Sequence, residues 1–116
     1  MAWLLALALA TSTNLTVTVW PKGEGGPVTR WTLRCDPAGG THPRRVQACA
    51  ALRRHPEALK PVPLGVACSM IWSGPQLARV DGTFRGRTIH ARFNRKNGCE
   101  TERWNELVPL LPKPPD

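Results

Sequence analysis

Four cysteines are the residues of this chain whose type and number first suggest chemistry: Cys35, Cys49, Cys68 and Cys99. An even number of cysteines in a short chain is typical of disulfide bonds formed in an oxidising compartment. Three pairings are possible, and spacing alone does not choose among them. If all four cysteines form disulfides, no free thiol remains to act as a catalytic nucleophile, so a catalytic cysteine is disfavoured.

The other side chains that could catalyse a reaction or bind a metal form no recognisable pattern. His42, His55 and His90 do not lie at the spacing of zinc ligands. The eight acidic residues are dispersed, and neither a glycine-rich phosphate loop nor a Gly-x-Ser-x-Gly turn occurs. The sequence therefore predicts a protein that is not an enzyme and that needs neither a cofactor nor a metal ion.

A group of apolar side chains lies between a proline-rich stretch and a Ser-Gly-Pro sequence: Val66, Ala67, Met70, Ile71 and Trp72. Periodicity alone favours a buried strand here. The alternative is an exposed loop with a binding role, because exposed apolar clusters usually mark interaction sites. A disulfide bond at the neighbouring cysteine would fix such a loop and lower the entropic cost of binding.

The elements that must position this segment can be predicted from periodicity. Alternating apolar and polar side chains predict strands at 15–20, 28–35, 76–80 and 88–93, and helical spacing predicts short helices at 44–54 and 99–107. Two glycine turns, at 81–82 and 85–86, are possible between the last two strands. The tail, 108–116, contains four prolines and could end as a short edge strand. The pattern indicates an α+β domain with an antiparallel sheet of four or five strands.

Composition limits the remaining choices. The 116 residues suffice for one domain, and no segment is long and apolar enough to span a membrane. Residues 1–10 are interpreted as a truncated signal peptide, which leaves 11–116 as the domain; the alternative is that they extend the first strand.

The net charge of the chain is +8, but the twelve arginines that dominate it are scattered along the sequence. A nucleic-acid or anionic-polymer binder is therefore a minor alternative, and no nucleic-acid partner is expected.

The order of several short motifs resembles the Streptomyces subtilisin inhibitor family of serine protease inhibitors. The resemblance covers about residues 11–110 and has all four cysteines in register. The motifs are 15–19 (LTVTV), 31–37 (WTLRCDP), 40–43 (GTHP), 48–52 (ACAAL), 68–72 (CSMIW), 74–75 (GP), 81–86 (DGTFRG) and 93–100 (FNRKNGCE).

The resemblance implies a five-stranded antiparallel sheet with two short helices, and the disulfides Cys35–Cys49 and Cys68–Cys99. It places the reactive bond at Met70–Ile71 in an exposed loop. The implied partners are subtilisin-like and, secondarily, chymotrypsin-like serine proteases, and the implied state is a secreted homodimer associated through its sheets. The residues implied to contact the protease are Val66, Ala67, Cys68, Ser69, Trp72 and Ser73, with Asn97 as a support of the loop.

The chain also departs from the family pattern. Ser69 stands where a well-known form of the family has proline, and Trp72 stands where the family usually has tyrosine. One residue is added around Ser73 and Gly74, and the tail is rich in proline. These departures keep one alternative open, a secreted binding module on the same fold that does not inhibit a protease.

Overall fold

A computed structural model describes residues 12–115 of the chain. The interpretation of residues 1–10 as a signal peptide lies outside the described residues. No helix among the described residues is long and apolar enough to cross a membrane. The strands are β1 (Thr13–Trp20), β2 (Thr29–Cys35), β3 (Leu77–Phe84) and β4 (Arg87–Phe93), and the helices are α1 (Arg45–Arg54), a 3-10 helix (Pro56–Leu59) and α2 (Gly98–Glu106).

The four strands form one antiparallel sheet in the order β2-β1-β3-β4. The four strands predicted from alternation are present, and β3 and β4 are joined by a hairpin at Arg85 and Gly86. Both turn residues have positive φ, 51° and 81°, which suits the right-handed twist of the flanking strands. The other candidate turn lies inside β3. There Gly82 lies so close to the backbone of β1 that a Cβ atom would collide with the carbonyl oxygen of Asn14.

The expectation of a five-stranded sheet is wrong: the described residues contain four strands. Residues 107–110 form turns after α2, and 111–115 form neither strand nor helix. Leu110 and Leu111 are adjacent and both fully buried, which is incompatible with the alternating faces of an edge strand. The four prolines of the tail also lack the N–H groups that a strand needs for pairing. A further element that the pattern did not predict is the 3-10 helix.

The hydrophobic core lies between one face of the sheet and the two α-helices. α1 packs against β2, and α2 packs against β4. The turn after α2 contributes Leu107, Leu110 and Leu111 to this core. A hydrogen bond from the indole N–H of Trp104 to the carbonyl of Pro112, at 3.0 Å, attaches the end of this segment to α2. The fully buried side chains include Leu15, Val17, Val19, Leu33, Leu52, Val80, Trp104, Leu107, Leu110 and Leu111.

Both disulfides implied by the resemblance are confirmed. Cys35–Cys49 joins the end of β2 to α1, with 5.8 Å between the Cα atoms. Cys68–Cys99 joins the connection before β3 to the first turn of α2, with 5.4 Å between the Cα atoms. The first bond therefore pins a helix to the sheet, and the second pins a long connection to the other helix.

His42 links the segment before α1 to the C-terminal turn. Its Nε2 donates to the carbonyl of Leu110 at 2.9 Å, and its Nδ1 accepts from the backbone N–H of Arg44 at 3.0 Å. Since a carbonyl can only accept and an N–H can only donate, the ring is neutral with its proton on Nε2. Burial lowers the pKa of His42 below its ordinary value. The hydrogen bond to the carbonyl of Leu110 raises this pKa and offsets part of the shift, while the charge of Arg44 lowers it further.

Candidate functional site

The apolar group around Met70 lies in an exposed loop. The connection between the 3-10 helix and β3 contains no helix or strand. Met70, Ile71 and Trp72 are 85%, 68% and 62% exposed, and Val66 is half exposed. The buried strand favoured by periodicity is therefore wrong. We call residues 66–73 the 66–73 loop.

The N-terminal side of the 66–73 loop is attached to α2. Cys68 forms its disulfide with Cys99, and the backbone N–H of Gly98 donates to the carbonyl of Ser69 at 2.9 Å. The approach is so close that a Cβ atom at Gly98 would collide with the hydroxyl oxygen of Ser69. One covalent and one hydrogen bond thus fix the backbone immediately before Met70.

The C-terminal side is attached to Arg95, a residue that the sequence reasoning missed. The backbone N–H of Ser73 donates to the carbonyl of Arg95 at 2.8 Å, and Nε of Arg95 donates to the carbonyl of Ser73 at 3.4 Å. The guanidinium also donates to Oδ1 of Asn105 at 2.9 Å and lies 5.7 Å from the ring of Trp104. Only 7% of Arg95 is exposed. Burial lowers its pKa, but an arginine remains charged in proteins.

The backbone between these two attachments is free. Met70, Ile71 and Trp72 make no hydrogen bond to another described residue. An open groove of about 470 Å³ is lined by Ile71 and by residues of α2, among them Glu102 and Asn105. The loop is therefore held at both ends while its centre offers free main-chain donors, acceptors and apolar side chains.

Asn97, expected to support the loop, caps α2. Its side-chain oxygen accepts the backbone N–H of Glu100 at 2.9 Å, which satisfies a donor at the start of the helix. No hydrogen bond joins this side chain to the 66–73 loop within residues 12–115. By fixing the helix start, Asn97 orients Gly98 and Cys99, which do contact the loop. Its direct role in support stays a prediction.

The structure brings together one group of side chains that could hold a metal ion among the described residues: His55, Glu57 and Glu106. Nδ1 of His55 lies 3.1 Å from Oε1 of Glu57 and 4.0 Å from Oε2 of Glu106. All three side chains are partly or fully exposed, and the contacts are those of a surface ion pair. This group gives no reason to assign metal chemistry to the protein.

Comparison with known proteins identifies the family. The model of the subtilisin inhibitor-like family matches residues 9–97. The chain belongs to the subtilisin inhibitor-like family. It is 39% identical to subtilisin inhibitor-like protein 1 of Streptomyces cacaoi over 82 residues, which are 66% of this chain and 74% of that protein.

A solved structure of this subtilisin inhibitor-like fold is also similar to the chain. It is Streptomyces caespitosus sermetstatin in complex with Bacillus licheniformis subtilisin, with 26% sequence identity and a TM-score of 0.53. The match covers 84% of this chain and 98% of that chain. Family and fold together show that the protein is a protease inhibitor and not an enzyme.

Proposed function

We propose that the protein inhibits subtilisin-like serine proteases by presenting Met70–Ile71 as a substrate-like bond. One observation carries this proposal. Met70 is the most exposed of the large apolar side chains in a loop that is fixed on both sides, by Cys68–Cys99 before it and by Arg95 after it. A rigid, exposed apolar segment is well suited to enter a protease cleft, because little conformational entropy is lost on binding.

In the proposed complex the loop binds as an extended peptide. The free main-chain groups at 70–72 form strand-like hydrogen bonds with the edge of the cleft, as in other β-augmentation complexes. Met70 fills the primary specificity pocket, and its carbonyl oxygen points into the oxyanion hole. Val66, Ala67, Cys68, Ser69, Trp72 and Ser73 are the other residues assigned to the contact, and Asn97 supports them.

The slow turnover that an inhibitor needs follows from how the loop is attached. If the protease cleaves Met70–Ile71, the disulfide keeps the two parts of the chain together, since Cys68 lies before the cleaved bond and Cys99 after it. Arg95 keeps Ser73 of the leaving segment in place. The new amine therefore stays near the acyl group, and religation competes with hydrolysis.

Met70 also determines the proposed target class. Methionine is unbranched and apolar, and it suits a broad hydrophobic pocket. Subtilisin-like proteases are therefore the primary target and chymotrypsin-like proteases the secondary one. A trypsin-like pocket requires a basic residue to meet its buried carboxylate.

Titration of subtilisin with the purified protein tests the proposal. We expect stoichiometric loss of activity, and mass spectrometry after long incubation should find a species heavier by one water molecule that separates into two pieces at Met70–Ile71 only after reduction. Met70→Gly should weaken inhibition at least 100-fold, since it removes the central anchor. The control is Leu64→Gly, at an exposed apolar residue outside the two attachments, and it should inhibit like the wild type. Absence of inhibition at micromolar concentration, or equal losses in both variants, contradicts the proposal.

Secretion and dimerisation complete the proposal. Both rest on the family resemblance, and two disulfides support folding in an oxidising compartment. The proposed homodimer associates through the outer faces of the sheets, which leaves both 66–73 loops accessible. Light scattering after gel filtration measures the state, and a monomer at micromolar concentration contradicts the proposed dimer.

A further inference from the structure

A second exposed turn lies immediately before the 66–73 loop. Residues 61–65 connect the 3-10 helix to that loop and contain neither helix nor strand. Leu64 and Gly65 are the central residues of a β-turn, which the N–H of Val66 closes by donating to the carbonyl of Pro63 at 3.4 Å. The φ of Gly65 is 86°, as the third position of a type II turn requires. We call residues 61–65 the proline turn.

The proline turn is exposed and only weakly held. Leu64 is completely exposed, and a Cβ atom at Gly65 would meet no atom of a non-neighbouring residue within 4 Å. Within residues 12–115, the bond from Val66 is the only hydrogen bond of the turn. No hydrogen bond therefore ties the turn to the rest of the fold, in contrast to the 66–73 loop. Exposed loop tips of this kind are preferred sites of proteolysis.

The residue at the tip of the proline turn suits the specificity proposed for Met70. Leucine and methionine are both apolar and similar in volume, so a broad hydrophobic pocket that accepts one accepts the other. A protease binds its substrate in an extended conformation, so the turn must open before Leu64 enters the pocket. Opening costs little, because the hydrogen bond that closes the turn is long.

A cut after Leu64 differs from a cut after Met70 in what stays connected. Hydrolysis of the bond between Leu64 and Gly65 consumes one water molecule and leaves a carboxylate on the first residue and an amine on the second. Cys35–Cys49 lies entirely before this bond, and Cys68–Cys99 lies entirely after it. Neither disulfide keeps the new ends together, so religation does not compete with hydrolysis here.

The same cut divides the fold into two pieces that share one hydrophobic core. The first piece contains β1, β2, α1 and the 3-10 helix, and the second contains the 66–73 loop, β3, β4 and α2. Each piece has only two strands, which are marginally stable without further strands or packing. The pairing of β1 with β3 joins the pieces, and after the cut it is a contact between separate molecules. Replacing an effective concentration of about millimolar by micromolar protein weakens this association roughly 1,000-fold.

We propose that Leu64–Gly65 is an inactivating cleavage site for serine proteases of apolar specificity that bind the 66–73 loop weakly, of which the chymotrypsin-like class is the example. This inference rests on the proposed function, because it concerns how the inhibition ends. A protease that binds the loop tightly is occupied there and does not cut the proline turn. A protease that binds the loop weakly is free for part of the time, cuts the turn, and separates the inhibitor into two pieces.

Incubation with a twofold molar excess of chymotrypsin tests the proposal. Phenylmethylsulfonyl fluoride stops the reaction, native gel filtration separates the products, and unreduced mass spectrometry identifies them. We expect two pieces that meet at Leu64–Gly65 and separate without reduction, and a loss of subtilisin inhibition in proportion to the fraction cut. Leu64→Glu should be cut at least about tenfold more slowly, because an apolar pocket rejects a charged side chain. The matched control Val46→Glu makes the same change at an exposed residue of α1 and should be cut like the wild type.

The outcomes are separable from those that test the proposed function. Titration of subtilisin with the uncut protein tests inhibition alone, whereas the cut and the separation of the pieces are measured by mass and elution. Absence of cleavage at Leu64–Gly65 overturns the proposal. Pieces that elute together and still inhibit subtilisin show that the cut does not inactivate, which overturns it as well. Equally fast loss of inhibition in Leu64→Glu and in the wild type would assign inactivation to another bond and would also overturn it.

Discussion

Arg95 offers the sharpest test of how the 66–73 loop is held. Arg95→Ala removes the guanidinium contacts to Ser73 and Asn105 and the packing on Trp104. It leaves the backbone bond from Ser73 to the carbonyl of residue 95, which any side chain permits. The variant therefore loosens the C-terminal side of the loop without detaching it.

The expected magnitude follows from these contacts. A hydrogen bond to a charged group contributes about 1.5–3 kcal/mol, but the contact to Ser73 is long at 3.4 Å, and burial of the cation offsets part of the gain. Both acceptor residues are exposed, so water can replace the guanidinium and no acceptor is left unpaired. We expect a net loss of about 1.5 kcal/mol in the complex, which is roughly tenfold in the inhibition constant.

The assay measures the inhibition constant for subtilisin and the rate at which the bound inhibitor is hydrolysed. Arg95→Met keeps apolar packing on Trp104 but has no donor, and so isolates the hydrogen bonds. Arg87→Ala is the charge control, at an exposed position of β4. Arg95→Met should be hydrolysed faster than the wild type, while the control should not. If Arg95→Met inhibits and resists hydrolysis like the wild type, the guanidinium does not hold the loop and the reasoning is refuted.

Three further predictions concern the pocket, the disulfide and pH. Met70→Lys should move inhibition from subtilisin toward trypsin, and an unchanged profile would show that Met70 is not the specificity residue. Cys68→Ala/Cys99→Ala opens a bond that spans 31 residues, so unfolding should cost about 3–4 kcal/mol less and the loop should be cleaved as an ordinary substrate; survival of tight inhibition would contradict this. The lowered pKa of His42 means that the unfolded chain binds a proton which the folded chain does not, so the free energy of unfolding should fall as pH drops below about 6.5, by at most about 1.4 kcal/mol per pH unit. Chemical denaturation between pH 5 and 7 measures this, and a His42→Gln variant with the same pH dependence as the wild type refutes it.

Local pattern predicted the elements of this fold well because one face of each strand is buried. Alternation from residue 88 onward gave β4, which begins at Arg87, and alternation from 15 gave β1, which begins at Thr13. β3 was predicted too short because Asp81 and Gly82 have the composition of a turn. In the structure the glycine is needed for close approach of two strands, and composition cannot separate that use from a turn.

The tail and the loop could not be predicted from pattern, for opposite reasons. Leu110 and Leu111 are both buried because the turn after α2 packs against the hydrophobic core. This burial depends on tertiary packing, which local periodicity does not report. Met70 and Ile71 are exposed although apolar, because the attachments on either side hold them away from the core. The contact of Arg95 with Ser73 spans 22 residues, and in the sequence Arg95 is one of twelve dispersed arginines. The disulfide pairing was available only through the family resemblance.

The two attachments of the 66–73 loop come from one short stretch, residues 95–99, which runs from the end of β4 into the first turn of α2. Arg95 binds Ser73, Gly98 binds Ser69, and Cys99 is bonded to Cys68. Both sides of the proposed reactive bond are therefore attached to the same short stretch of the chain. After cleavage the new carboxylate and amine would remain held to that stretch, so rejoining them costs little translational or rotational entropy. The cleaved chain, purified without reduction, should consequently inhibit subtilisin as the intact chain does, because the protease can reseal the bond it has cut.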